Sequence, residues 1–173
     1  MAYALHHFIR MDPSIGRYIN WLETADRAIY SQFPELTNCS SHIAERLSAL
    51  LLERLPTDTS QAILRLLPEG NWMAMRSLSA SAIGEADCSI GYTDFVERSV
   101  HAVGCTHHGR DFHRQDRETE LFELSRRIVD VFLWAIAQEI PPEIKSRMAT
   151  ELPSDLRIRM NLISAASDDA RVA

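Results

Sequence analysis

Six side chains with ligand chemistry crowd one short segment: His101, Cys105, His107, His108, Asp111 and His113. Zinc and other borderline metals favour imidazole and thiolate ligands, and a flexible loop can wrap such groups round one ion. His101 and Cys105 stand at i, i+4, a spacing that shares a helix face, but Gly104 lies between them and interrupts the face. No spacing in the segment matches a recognised zinc signature. The plainer reading is therefore a solvated loop whose histidines are neighbours by accident. A third is a pH-responsive loop, because several imidazoles there titrate around neutrality. If a metal binds, the expected ligands are His101, Cys105, His107, His108 and His113, with zinc as the ion. No other cofactor is expected.

The remaining chemical candidates are thinner. Cys39-Ser-Ser-His42 puts a thiol and an imidazole at the start of a helix, where a thiol pKa can fall. Two residue types do not make a triad, so the expectation is that Ser40 or Ser41 caps the helix and Cys39 belongs to the loop. His42-x-x-Glu45 reverses the Glu-x-x-His pair of di-iron bundles, and the surrounding stripes are apolar rather than carboxylate-rich. Glu97 and His101 at i, i+4 read as a helix-surface pair. Arg126-Arg127 and Arg157-x-Arg159 lie beside Glu120, Glu123, Asp130 and Asp155, which suits solvated ion pairs better than a phosphate groove. Trp72, Met73, Met75 and Trp134 are expected in the core. The chain has no GxSxG elbow, no Walker A loop and no GxGxxG. Lysine is found only at position 145, which leaves one candidate for Schiff-base chemistry.

The elements that would position these groups read as helical throughout. Apolar residues recur at three and four, and no alternating strand pattern of useful length occurs. Ile15, Tyr18, Leu22, Ala25 and Ile29 form a first stripe, with Asp12 and Pro13 at its start. A polar stretch follows Pro34. Ile43, Leu47, Leu50, Leu51 and Leu55 form a second stripe, stopped by Pro56. Asp58 and Gln61 resemble a capping box for a third helix. Trp72, Met75 and Leu78 suggest a short fourth. Small and polar residues over 79–91 read as a linker. Phe95, Val96, Val100 and Val103 then form a helix that Gly104 can end in a left-handed cap. The longest helix carries Leu121, Leu124, Ile128, Val131, Phe132, Ala135 and Ile136. Pro141-Pro142 opens the next, and Ser154 can cap the last. The two long helices, 42–55 and 119–139, are expected to share the core, among about eight helices in all.

The two halves of the chain align. At a constant offset of 85, Leu55-Pro56 and Leu67-Pro68 reappear as Ile140-Pro141 and Leu152-Pro153. At that offset Ile43 falls on Ile128, Leu47 on Phe132, Leu51 on Ile136 and Met75 on Met160. Proline cannot occupy a helix interior, so each copy turns at matched places. Upstream the offset is 74, pairing Tyr18-x-x-Trp21-Leu22-Glu23 with Tyr92-x-x-Phe95-Val96-Glu97. The second copy thus carries an 11-residue insertion, the histidine-rich segment. The expected units are a first repeat over 13–80, a linker over 81–91, a second repeat over 92–165 with its insertion at about 105–116, and a tail over 166–173.

Tyr92-x-x-Phe95-Val96-x-x-x-Val100, Val129-x-Val131-Phe132-x-x-Ala135-Ile136 and Glu151-Leu152-Pro153 resemble the bacterial tandem helical family catalogued as domain of unknown function 2267. The first copy follows the same scheme from Leu47 to Leu67-Pro68, with Trp21 in place of the family's Phe. The resemblance implies a tandem all-helical fold and carries no activity with it.

Composition narrows the rest. The chain has 173 residues, of which 46% are hydrophobic and 24% charged, so it can build a core without disulfide staples. Three widely spaced cysteines do not make a disulfide framework, and a cytoplasmic setting is expected. A formal net charge of −6 weighs against a nucleic-acid partner, and the absence of a long apolar run weighs against a membrane. The reading is an all-α protein of two degenerate tandem copies of a roughly four-helix unit. Its expected role is non-enzymatic, a binding or scaffold module that takes a protein partner, such as an amphipathic helix, or pairs as a homodimer. The alternative is a metal-binding sensor or hydrolase that uses the loop 101–113.

Overall fold

The computed structural model describes residues 20–67, 91–104 and 115–162. Within them the chain forms α1 (Trp21–Gln32), a 3-10 turn (Pro34–Leu36), α2 (Ser40–Leu52), α3 (Thr57–Leu64), α4 (Tyr92–Gly104), α5 (Gln115–Glu139), α6 (Pro142–Glu151) and α7 (Ser154–Arg159). No strand occurs among the described residues. The all-α expectation therefore holds.

Four helices make the central bundle. α1 packs on α2 and α5, and α4 packs on α2 and α5, closing a ring across which α2 and α5 also touch. α3 lies against α6, and α7 rests on α5. The apolar stripes account for this. Trp21, Leu22, Ala25 and Ile29 of α1 are buried, as are Ile43, Leu47 and Leu51 of α2 and Phe95, Val96 and Val103 of α4. Ile128, Phe132 and Ile136 supply the α5 stripe, and all these side chains belong to one continuous core cluster. Three- and four-residue spacing puts each set on one helix face, and closing the ring removes the four faces from water together. α5 has 25 residues, about 37 Å at 1.5 Å per residue. No helix of the described residues is long and apolar enough to cross a membrane.

Several boundaries differ from the sequence expectation, each for a physical reason. α2 ends at Leu52, short of Leu55, because tight turns take over: Arg54 N–H donates to Leu51 O at 3.0 Å and Leu55 N–H to Leu52 O at 3.2 Å. That tightening tucks Leu55 into the core before the proline. Asp58 and Gln61 do not form a capping box: the extended Pro56 holds the N-cap position and Asp58 sits in the first turn. Pro153 likewise takes the N-cap position of α7, one residue before Ser154. Gly104 does not end its helix in a left-handed cap. It is the last residue of α4, and a β-carbon there would lie 3.2 Å from Leu121 Cδ2, so glycine serves a close approach. α7 ends in a Schellman turn that the sequence reading missed. Asn161 adopts φ 52°, its N–H donates to Ile158 O, and Leu162 N–H donates to Arg157 O. The proposed helix start at Asp12–Pro13, the helix around Trp72 and most of the linker lie outside the described residues.

Candidate binding hollow between α2 and α4

Spacing on α2 divides its residues between core and surface. Ile43, Leu47 and Leu51 face the bundle, while His42, Arg46, Ala49, Leu50 and Glu53 line the side toward α4. On α4, Arg98, His101 and Ala102 at i, i+3 and i+4 line the facing side. Together they enclose an open hollow of about 180 Å³. Ala49, Leu50 and Ala102 form an apolar floor, and the four imidazole and guanidinium side chains stand round it with Glu53. A water occupies roughly 30 Å³ in the liquid, so this space suits a compact ion or one side chain rather than a nucleotide or cofactor.

The two helices are held in register at one end. Buried Arg54, only 1% exposed, donates from Nη2 to Asp94 Oδ2 at 2.8 Å. Arg98 Nε lies 3.1 Å from the same oxygen. The C-terminal end of α2 thus meets the N-terminal end of α4, and the two run antiparallel. Counting back from that contact brings His101 level with Leu47 and Arg98 level with Leu50. Arg46 and Arg98 therefore stand about one helical turn apart along the hollow. Glu53 lies toward the Asp94 end, seven residues from Arg46. Arg46 makes no ion pair with any described residue. The Arg46 end thus carries a guanidinium with no described carboxylate beside it, on a chain whose net charge is −6.

A second polar cluster pins the start of α4. Tyr92 Oη donates to Asp130 Oδ1 at 2.7 Å, and its backbone N–H donates to Asp155 Oδ2 at 2.7 Å. Arg159 lies over the Tyr92 ring, 4.5 Å from its centroid, and 3.4 Å from Asp130. Burial, then the hydrogen bond to Asp130 and its charge, raise the Tyr92 hydroxyl well above its ordinary range. The hydroxyl is locked as a donor and does no acid–base work near neutrality. Gly91 permits this cluster, because a β-carbon there would fall 2.5 Å from Asp155 Oδ2. The role is structural: α4, α5 and α7 are tied at one point.

Of the expected metal ligands, His101 is exposed on α4 and lines the hollow. Cys105, His107, His108 and His113 lie outside the described residues, as does Asp111. Among the described residues, no group of three or more His, Cys, Asp and Glu side chains could hold a metal ion. Cys39 is the N-cap residue of α2, and its thiol donates to Leu36 O at 3.3 Å, so it is engaged with backbone. Arg126 pairs with Glu123 at 2.8 Å, and Arg127 lies over the Phe33 ring. Trp134 is not a core residue: it is 60% exposed on α5. The apolar stripe of α5 points away from it, toward Phe132, Leu133 and Ile136.

The sequence reading weighed His42 only beside Cys39 and Glu45, and passed over Arg46 and Arg98. Their i, i+4 and i, i+3 spacings beside small apolar residues were visible signals. What the sequence lacked was the knowledge that α2 and α4 face each other. The chain matches no family model, no curated protein and no solved structure.

Proposed function

We propose that the chain is a non-enzymatic binding module, made of two degenerate copies of one helical unit, that receives a protein partner where the copies meet. The hollow between α2 and α4 carries this reading, since it gathers exposed arginines over an apolar floor. Support for the duplication comes from burial. At an offset of 85, Ser40, Ile43, Ala44, Leu47 and Ser48 fall on Ser125, Ile128, Val129, Phe132 and Leu133, and all ten are buried. At an offset of 74, Trp21, Leu22, Ala25 and Ile29 fall on Phe95, Val96, Ser99 and Val103, again all buried. Exchanging the copies maps the α1–α5 contact onto α4–α2 and the α3–α6 contact onto itself. In this reading the first copy spans 13–80 and the second 92–165, and kinship with the helical family of domain 2267 rests on the same register.

A photo-crosslinking residue placed at position 46 tests the binding role, with one at exposed Thr150 as control. A discrete protein adduct from position 46 and not from 150 is expected in extract of the source cells. Equal labelling from both positions, or none, would overturn the reading.

A further inference from the structure

We infer that the hollow is an oxyanion site, in which Arg46 and Arg98 hold a carboxylate or phosphate group above Ala49, Leu50 and Ala102. The inference rests on the reading of this junction as a binding surface and names what enters it. Four observations converge. First, Arg46 has no anionic partner among the described residues, although the chain has more acids than bases. Second, Arg98 gives its Nε to Asp94 and leaves its terminal nitrogens for the hollow it lines, where a forked donor matches two oxygens of one group. Third, Asp94 is already balanced by buried Arg54 as well as Arg98, so it does not cancel the charge at the Arg46 end. Fourth, His42 adds an N–H donor on the same rim.

Glu53 is the one carboxylate in the lining, and its place fixes where the anion sits. It stands two turns from Arg46 along α2, about 10 Å at 1.5 Å per residue. The bound oxyanion therefore lies on the Arg46 side of the Arg98 fork, away from Glu53. The apolar floor favours a group borne on a short hydrocarbon stem over a bare ion, and the volume of about 180 Å³ accommodates little more.

The test is an amide chemical-shift titration of the whole chain with sodium phosphate, with sodium succinate, and with a helical peptide carrying paired glutamates. Sodium chloride at equal ionic strength is the control. Saturable shifts at Ala49, Leu50 and Ala102 are expected, weakened about tenfold by Arg46→Gln or Arg98→Gln, since each removes a charge-assisted contact. Glu53→Gln should tighten binding. Both arginines are exposed, so these variants keep the core intact. Saturation by phosphate or succinate supports a free anion as ligand. Saturation by the peptide alone supports the same chemistry supplied by a partner's side chain. No saturable shift with any probe, or shifts unchanged in both arginine variants, overturns the inference. A position-46 crosslink without anion binding would retire this inference and leave the binding role standing.

Discussion

The flank formed by α2 and α4 and the flank formed by α5 and α1 stand in the same register yet present opposite surfaces. Ala49 of α2 is buried as the floor of the hollow, whereas its match Trp134 is 60% exposed on α5. Arg54 reaches across to Asp94 of α4, and its match Glu139 accepts from Thr24 of α1 at 3.2 Å. The same junction position is a buried cation on one side and a carboxylate on the other. α1 and α5 are also the most extensively packed pair. The comparison teaches that the matched core positions share their burial, while the matched junction positions differ in charge and exposure. A hollow lies on one flank and an exposed tryptophan on the other.

The most forceful test of this comparison strikes the shared core. Leu47 and Phe132 occupy matched positions, and both are fully buried. Leu47→Ala is expected to cost about 2–5 kcal/mol and Phe132→Ala about 3–5 kcal/mol, from lost transfer energy and the cavity left behind. Because both side chains belong to one cluster, urea unfolding followed by circular dichroism should show one transition that either substitution lowers. Two separate transitions, each sensitive to one variant, would mean that the halves are independent and that the flanks are not comparable.

The junction residues come next. Arg54→Met keeps much of the buried stem but removes the guanidinium that holds Asp94, and should cost about 1–3 kcal/mol. Glu139→Ala removes a partly exposed acceptor and should cost less than about 0.5 kcal/mol. Equal losses in chemical denaturation would erase the asymmetry proposed for the two flanks.

Tyr92 offers a test by pH. Its hydroxyl is raised in the folded chain by burial and by Asp130, so the folded state retains a proton that the unfolded state gives up first. The stabilisation is complete below the ordinary tyrosine value of about 10 and declines as pH rises from there toward the folded value. Tyr92→Phe should cost about 1 kcal/mol at neutral pH for the lost hydrogen bond and should flatten the alkaline decline. A decline of unchanged slope in the variant would assign the alkaline loss to other groups.

Much of this fold could be read before the structure. Periodicity located the stripes of α1, α2, α4 and α5, because burial of one face is a local property of the chain. Matched prolines located the turns for the same reason. Trp134 was misplaced because its type argues for burial while its phase on α5 does not, and phase decides exposure. The hollow was hidden for a different cause. Arg46 and Arg98 lie far apart in the chain, one in each half, and nothing in either segment states which helix the other will face. Short-range pattern foretells which side of a helix is wet; only the packing tells what the wet side meets.

The smallest expected effect is also the sharpest sign test of the matched register. Ser40 and Ser125 are a matched pair, and both are buried. Ser40 Oγ donates to Asp26 of α1. The position matched to Asp26 in the second copy is Val100. Ser125 Oγ is accordingly buried without a hydrogen-bond partner. A buried hydroxyl that has lost its acceptor has given up water for nothing, whereas one bonded to a carboxylate has exchanged one partner for another. Ser40→Ala should therefore destabilise by about 1 kcal/mol, and Ser125→Ala should be neutral or stabilise by up to about 1 kcal/mol. Paired thermal and urea midpoints would resolve the difference in sign. A loss at Ser125 as large as that at Ser40 would show that its hydroxyl is satisfied in solution, and the apolar Val100 would no longer explain the difference between the two serines.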